Sequence, residues 1–463
     1  VRIAMTVVDK GENYGILQEC KSRKPGKDSD ELTDPLAGRI NSMLRIGADL
    51  TEAKPLGANE DLSYMGIIPV GLGFALTPTE MSGLGYRVVH LPDIIRPYLS
   101  GRDLAQHPRA RFIIDFFGLR LEEAEQKYPR LVQRVLETVK PLRDTADRKN
   151  HRENWWVFGE ARPGMRRAFA DITRYVATTE TAKHRWFTFL DAKILPDQKI
   201  RVIASSDAYV LGTLSTRIHT SWAIAIGGRV GKGNDPVYNT TTCFDPFPFP
   251  APSESQRERI RTLGERLDAF RRERLTEHKF LTLTKLYNVL EKLRKGEPLD
   301  ENDRDVHEFG LVSVLKQIHD ELDQAVAEAY GWPNDLSEEQ ILVALVALNK
   351  ERAIEERQGL VRWLRPEFQA PKEAARKPQQ VEAELAAVEA TTTKPNFPKT
   401  PAEQVSAVRT LLAAEGNPVR AGELARRFKQ GKRVEDRVSE LLQIMAAIGQ
   451  AQTENGSRYF ASR

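Results

Sequence analysis

Apolar positions change their spacing along the chain, and each change marks a different kind of element. Near the start they form short runs broken by turns. Val1-Arg2-Ile3-Ala4-Met5-Thr6-Val7-Val8 and Tyr14-Gly15-Ile16-Leu17 predict two strands around the polar turn Asp9-Lys10-Gly11-Glu12, and Met65 to Thr77 predicts a strand pair around Gly71-Leu72-Gly73-Phe74. Leu131, Val135 and Val139 fall at i, i+4, i+8 and predict a helix over 120–140. The middle third is mixed. Arg174-Tyr175-Val176-Ala177-Thr178, Trp186-Phe187-Thr188-Phe189-Leu190 and Ile200-Arg201-Val202-Ile203-Ala204 predict strands. One continuous helix is expected next, capped by Ser206 or Asp207, with Leu211, Leu214, Ile218, Trp222 and Ile226 on one face and Gly227-Gly228 as its stop.

From Pro250 the period becomes helical throughout. Ser253-Glu254-Ser255-Gln256 is a capping box ahead of Ile260, Leu263, Leu267 and Phe270. A second helix carries Leu286, Val289, Leu290 and Leu293; a third carries Val312, Leu315, Ile318, Leu322 and Val326; Ser337-Glu338-Glu339-Gln340 caps a fourth. These four predict a bundle. Pro366 to Pro401 holds six prolines and Thr391-Thr392-Thr393, the composition of a linker. The last residues predict helices through Val405, Val408 and Leu412, from Ala421 to Phe428 and from Val434 to about Met445, then two strands around Glu454-Asn455-Gly456-Ser457. That order is the winged helix-turn-helix order.

Composition narrows the class. A chain of 463 residues, 40% apolar and 29% charged, has room for three or four folded domains at ~100–200 residues each. Its longest apolar run, Ile341 to Leu348, is far short of the ~20 residues of a membrane helix, and no signal peptide follows Val1. Two cysteines, Cys20 and Cys243, exclude a disulfide framework and a cysteine-rich zinc site. A cytoplasmic multidomain protein without a membrane partner is expected. Because it starts at Val1 without Met, apparently inside a strand, the chain is read as the C-terminal portion of something longer.

The net charge of +4 is unevenly spread: Lys140 to Asp235 holds 17 Lys+Arg against 10 Asp+Glu, and Ala251 to Ala370 holds 19 against 24. A basic middle beside an acidic helical region is the footprint of a polyanion-binding module on a scaffold; ordinary fluctuation of composition also gives such numbers.

Several motifs are weaker than they look. Gly71-Leu72-Gly73-Phe74 lacks the third glycine and the following helix of a dinucleotide loop and is better read as a strand turn. His319-Asp320 lacks histidine partners at metal spacing, His278 and His307 being misplaced, and fits a solvated helix face. Asp197-Gln198-Lys199 has the wrong spacing for a nuclease centre. The basic middle is more informative. Lys183, His184, Arg185, Arg217, His219, Arg229 and Lys232 fall on predicted turns and helix ends, and Gly227 to Asn234 is a glycine-rich basic loop. Glycines let backbone approach a phosphate, while Arg, Lys and Asn donate to phosphates and base edges. A flexible surface hairpin whose charges only keep it soluble stays open as the alternative.

A longer series of motifs is recognisable. Ala53-Lys54-Pro55-Leu56, Gly73-Phe74-Ala75-Leu76-Thr77, Ile95-Arg96-Pro97-Tyr98, Gly101-Arg102-Asp103-Leu104 and Ile114-Asp115-Phe116-Phe117-Gly118 occur in order. Asn154-Trp155-Trp156, Thr179-Glu180-Thr181-Ala182-Lys183-His184, Tyr238-Asn239, Phe244-Asp245-Pro246-Phe247-Pro248-Phe249-Pro250, Leu281-Thr282-Leu283-Thr284, Tyr287-Asn288-Val289-Leu290 and Ala329-Tyr330-Gly331-Trp332-Pro333 follow. Over residues 1–370 the chain resembles the C-terminal half of the MmeI-like (type IIL) DNA methyltransferases, a group that includes restriction–modification and DISARM-type defence methylases.

The resemblance implies an S-adenosylmethionine-dependent, site-specific adenine-N6 DNA methyltransferase that flips its target base from double-stranded DNA. The Asn-Pro-Pro-Tyr/Phe and Phe-x-Gly-x-Gly motifs of such enzymes do not occur here, so no catalytic, cofactor or metal residue carries over and the fragment is expected to bind no cofactor. The expected fold is α+β and multidomain: the resemblance implies the end of a Rossmann-like methyltransferase sheet (1–60), a mixed α/β target recognition domain (61–250) and a helical domain (251–370), while the residue pattern alone gives a linker (371–400) and a winged helix-turn-helix (401–463) that departs from the restriction enzymes. The candidate DNA-binding residues are Lys183, His184, Arg185, Arg217, Arg229, Lys232, Asn234, Tyr238 and Asn239, with Lys432, Arg433 and Arg437 in the tail. Expected partners are double-stranded DNA, the missing N-terminal catalytic region and a defence-system protein. The competing class is a non-enzymatic winged-helix regulator.

Overall fold

The computed structural model describes residues 15–18, 20–21, 31–32, 36–38, 47–230, 235–371, 396–398, 400–414, 419–447, 451–454 and 458–461. The expected strand at Val1 to Val8, its turn, Gly231 to Asn234, most of the linker and the Asn455-Gly456 turn lie outside them. The chain divides into two compact units, 1–371 and 372–463.

In the first unit, β1 (Gly15–Leu17), β2 (Cys20–Lys21), β3 (Glu31–Leu32) and β4 (Leu36–Gly38) form two antiparallel pairs, β1 with β4 and β2 with β3. Next come β5 (Ser63–Met65), β6 (Ala75–Leu76), α1 (Pro78–Gly83), β7 (Ile95–Leu99), α2 (Gly101–Ala105) and β8 (Phe112–Ile114). Short helices α3 (Leu121–Lys127), α4 (Pro129–Thr138), α5 (Lys140–Asp144), α6 (Lys149–Glu153) and α7 (Pro163–Ala168) follow. Leu131, Val135 and Val139 are all fully buried, as their spacing requires. Between Met65 and Thr77 the expected strand pair is instead a turn of 3-10 helix at Leu72–Phe74 before β6. Gly71 has φ +145, and a Cβ on Gly73 would lie 1.9 Å from the Thr138 hydroxyl. These glycines let the turn touch the end of α4.

The next strands are β9 (Arg174–Thr179), β10 (Thr188–Asp191), β11 (Leu195–Pro196) and β12 (Ile200–Ile203). One antiparallel sheet has the order β10-β9-β12-β5, and the other, β11-β7-β8-β6, is antiparallel except for the parallel β11–β7 pair. Ile200, Arg201, Val202 and Ile203 are all buried, so β12 is covered on both faces.

The helix expected after Asp207 is two helices, α8 (Ala208–Leu214) and α9 (Arg217–Ile226). Asp207 does cap α8, accepting the Tyr209 N–H at 2.9 Å. Thr216 is extended at the break, and the Arg217 N–H bonds the Asp323 carboxylate at 2.7 Å instead of continuing the helix. The apolar spacing runs through the break, which hides it from periodicity.

The hairpin β13 (Arg229–Val230) and β14 (Asp235–Pro236) leads to the helices α10 (Glu254–Glu277), α11 (Leu283–Lys295), α12 (Glu301–Phe309), α13 (Val312–Tyr330), α14 (Glu338–Arg357) and α15 (Pro366–Gln369). Ser253 and Ser337 form the expected capping boxes. The helices share a core with the sheets. A Cβ on Gly264 of α10 would lie 2.4 Å from the Ala208 carbonyl of α8, so glycine sets that crossing distance. Asn349 of α14, wholly buried, donates to the Lys54 and Pro246 carbonyls at 2.8 and 2.6 Å and accepts from the Lys54 N–H at 2.8 Å. No described helix is long and apolar enough to cross a membrane.

The second unit contains α16 (Pro401–Ala414), α17 (Ala421–Ala425), a 3-10 turn at Gly431–Val434, α18 (Glu435–Ala447) and the antiparallel pair β15 (Ala451–Glu454) and β16 (Arg458–Ala461). Val419 bridges Tyr459. Val408, Leu412, Leu424, Phe428, Val438, Leu441, Leu442, Met445 and Tyr459 form its own core.

Candidate nucleic-acid interface

The chain segments at one end of the β10-β9-β12 sheet lie side by side. The loop leaving β9 runs along the β13–β14 hairpin: Thr181 bridges Val237, and the Tyr238 N–H donates to the Glu180 carbonyl at 2.7 Å. The turn entering β12 abuts α2, because Asp197 accepts the Lys199 N–H at 2.8 Å and the Gly101 N–H at 3.2 Å. Asp197 is therefore the acceptor of a turn. The Thr284 hydroxyl at the start of α11 donates to the Ala105 carbonyl at 3.4 Å, closing the edge of the surface.

Three ion pairs on this surface share one orientation: the cation is outside and the carboxylate inside. Lys199 bonds Glu180 at 2.6 Å with side-chain exposures of 63% and 18%; Arg109 bonds Asp103 at 2.6 Å with 44% and 1%; Lys183 bonds Glu291 at 2.8 Å with 59% and 31%. Buried Arg201 completes the Glu180 clamp at 2.6 Å. Burial alone would raise the Glu180 pKa, but the bonds and charges of Lys199 and Arg201 outweigh it and hold the carboxyl below its ordinary value. Burial likewise opposes the charge of Asp103, yet the Arg109 and Ser100 bonds lower it to about 2. Exposed Arg102 and Arg229 add to the outward cations.

The candidate residues divide sharply. Lys183 reaches the surface. His184 is half buried against α11, its Nε2 lying 2.8 Å from the Asn288 amide oxygen, and burial lowers its pKa. Arg185 is a correction: it is 6% exposed, donates to the Thr178 hydroxyl and to the Thr179, Glu180 and Pro236 carbonyls, and lies 5.1 Å from the Tyr238 ring. Burial pushes its pKa down to about 10. It ties the loop to the hairpin and offers no group to DNA.

Arg217 is a second correction, since its guanidinium ends on the Asn334 and Leu336 carbonyls at 3.1 and 2.6 Å. Tyr238 is a third: it is fully buried, with its hydroxyl 3.0 Å from His219 Nε2. Asn239 starts the helical turn Thr240–Phe244, its N–H facing the Cys243 sulfur at 3.4 Å. Arg229 is exposed on β13, paired across the hairpin with Pro236. Lys232 and Asn234 lie outside the described residues.

His319, expected on a solvated face, is also corrected: it is buried and lies 2.9 Å from the Tyr287 hydroxyl, which accepts from Arg271 at 2.8 Å. Among the described residues no acidic, histidine and cysteine cluster has the arrangement of a metal site. In the second unit Lys432 and Arg433 are exposed, whereas Arg437 is held by Glu440 at 2.6 Å and Gln404 at 3.0 Å. Sequence reasoning missed Lys199, Arg102 and Arg109. The signal was present in Gly101-Arg102-Asp103-Leu104, where an acid three residues past Ser100 caps a helix and leaves arginines outward.

Residues 54–251, which contain this whole surface except its α11 edge, match the family described as "MmeI, target recognition domain". The match covers less than half of the chain. The matched segment is built on the two small sheets, with α2, the β9–β10 loop and the β13–β14 hairpin at one end. The chain is also 27% identical over 213 residues to "DNA methyltransferase A" of Bacillus subtilis (strain 168), covering 44% of this chain and 21% of that protein. Its fold resembles the type IIL restriction-modification enzyme MmeI, solved in complex with DNA, with a TM-score of 0.56, 18% identity, and coverage of 74% of this chain and 42% of that one. The chain therefore spans less than half the length of either protein.

Proposed function

We propose that this chain is the DNA target-recognition part of a site-specific adenine-N6 DNA methyltransferase, of a restriction–modification or phage-defence kind. The observation that carries the proposal is the surface at the end of the recognition sheet, where cations point outward over inward carboxylates. Such a face attracts a polyanion, and the loop and hairpin beside it are the elements offered to a groove. Lys183, Lys199, Arg102 and Arg109 position phosphates, and Arg229 reaches base edges, as do Lys232 and Asn234, which follow it in the sequence. Double-stranded DNA is the partner. The competing regulator has no such support, because the family match falls on the recognition domain rather than on the tail.

Methyl transfer and S-adenosylmethionine belong to a catalytic region of which residues 1–60 are the end in this proposal. The glycine turn Gly71–Gly73 does not fit the methyl donor: the Thr138 and Val139 side chains pack against both glycines, where even a Cβ would clash. No catalytic step is assigned to a residue of this chain. The second unit, three helices and a hairpin with Val419 bridged to Tyr459, is assigned as a winged helix. A cytoplasmic setting and a defence-system partner complete the proposal.

Duplex binding measured over a salt series tests it. Replacing Lys183 and Lys199 with Gln should flatten the plot of log affinity against log salt by about 0.9 for each phosphate no longer neutralised. Lys350→Gln, which breaks only the ion pair with Glu52 on another part of the unit, should leave the slope unchanged. Equal slopes for all three proteins would refute the assignment of this surface.

A further inference from the structure

The second unit concentrates its charge in one turn. Residues 426–433 contain Arg426, Arg427, Lys429, Lys432 and Arg433 and no acid, and all five cations are exposed. Among the described residues no carboxylate pairs with Arg426, Lys429, Lys432 or Arg433. The turn is rigidly held. Phe428 is 1% exposed and packs edge-on against Phe397 at 5.0 Å, pinning the middle of the basic run in the core. The Gln430 side chain accepts the Phe397 N–H at 2.8 Å, and Gly431 takes φ +52 to lead into the 3-10 turn. Cations fixed on a short, anchored loop lose little freedom on binding, which favours contact with phosphates.

The helix that would enter a groove has the opposite character. The exposed positions of α18 are Asp436, Glu440, Gln443 and Ile444, the last 46% exposed. Its one cation, Arg437, is engaged by Glu440 and Gln404. Two carboxylates on that face repel phosphates on both sides of a groove, and no free guanidinium remains to bond guanine.

We infer that the second unit grips the sugar–phosphate backbone of duplex DNA through the turn at 426–433 and does not read sequence with α18. It acts as a sequence-independent anchor that raises the local concentration of DNA for the first unit. The inference stands on the second unit alone, whatever the first unit recognises.

The test uses the full chain and a random-sequence duplex of about 30 base pairs, with affinity followed over a salt series. Joint replacement of Arg426, Lys429, Lys432 and Arg433 by Gln should flatten the slope by about 2 to 4, at about 0.9 for each phosphate released from a cation. The motif enriched from a randomised duplex pool should stay the same. A second variant, Asp436→Ala with Gln443→Ala, should keep both the slope and the motif. An unchanged slope in the first variant would overturn the anchor and leave α18, with Ile444, as a protein-docking face. A changed motif in the second variant would return sequence reading to α18. Failure of the first unit's proposal looks different: no motif is enriched at all, while the slope still responds to the turn.

Discussion

The main-chain N–H of Arg217 donates to the carboxylate of Asp323 at 2.7 Å, and Asp323 is only 7% exposed. This bond caps α9 from another helix and splits what the apolar spacing presents as one helix. Burial raises the Asp323 pKa from 3.8 to about 6, against the lowering effects of the Arg217 N–H and the charges of Arg294 and Arg217. A folded-state pKa above the unfolded one means stability present below about pH 4 and lost as pH rises through about 6. Asp323→Asn keeps an acceptor for the N–H and removes the charge. Its stability relative to the wild type should rise between about pH 4 and 6 and then level off, as followed by urea unfolding at each pH. A difference that does not change with pH would contradict this assignment.

Arg185 makes a different prediction. Replacing it with Met keeps volume but strips donors from the buried Thr179 and Pro236 carbonyls. The loss should exceed about 2 kcal/mol in chemical denaturation, since each buried group left unpaired costs about 1–3 kcal/mol. The DNA motif of the protein that remains folded should be unaltered. A stable variant with a changed motif would show that Arg185 reads bases.

Asn349 joins the two ends of the segment matched to the target recognition family, through Lys54 and Pro246. Asn349→Leu should therefore destabilise the first unit by about 3 kcal/mol or more, because three hydrogen bonds vanish in a buried site. Its midpoint of urea unfolding should fall while that of the second unit, followed separately by a probe on Tyr459, stays fixed. An unmoved first-unit midpoint would remove Asn349 from that role.

These residues show where the sequence was legible. Helices α10 and α14 were visible because Ser253 and Ser337 announce their starts and an apolar stripe follows, a signal that needs only local residues. The break at Thr216 was not, because its cause is the Asp323 carboxylate, 106 positions beyond Arg217. The candidate interface was located by charge, but charge does not distinguish a cation facing water from one bonded to carbonyls. Arg185, Arg217 and Lys183 look alike in sequence; only Lys183 projects from the surface. Tyr238 and His319 were misplaced for the same reason, each being polar yet hydrogen-bonded in the core. Family motifs such as Lys54-Pro55-Leu56 and Asp245-Pro246-Phe247 marked the recognition domain without revealing that Asn59 and Asn349 hold them together.

Arg229 and Lys183 should separate reading from positioning. Arg229 carries a planar fork that can donate twice to guanine, a contact that discriminates by about 1–3 kcal/mol. Lys183 offers a point charge. Arg229→Ala should relax the selected motif at one base pair, and Lys183→Ala should weaken all duplexes about equally. If Arg229→Ala lowers affinity uniformly instead, the hairpin is a phosphate clamp and bases are read elsewhere.

Above all, the first unit should recognise a defined duplex sequence by itself. The decisive experiment incubates the full chain with a randomised double-stranded DNA pool, without S-adenosylmethionine, and sequences the bound fraction. One short motif should be enriched, lost when Arg229, Lys183 and Lys199 are replaced together and kept when the cations at 426–433 are replaced. Bound DNA with the same composition as the input pool would contradict sequence recognition by this chain.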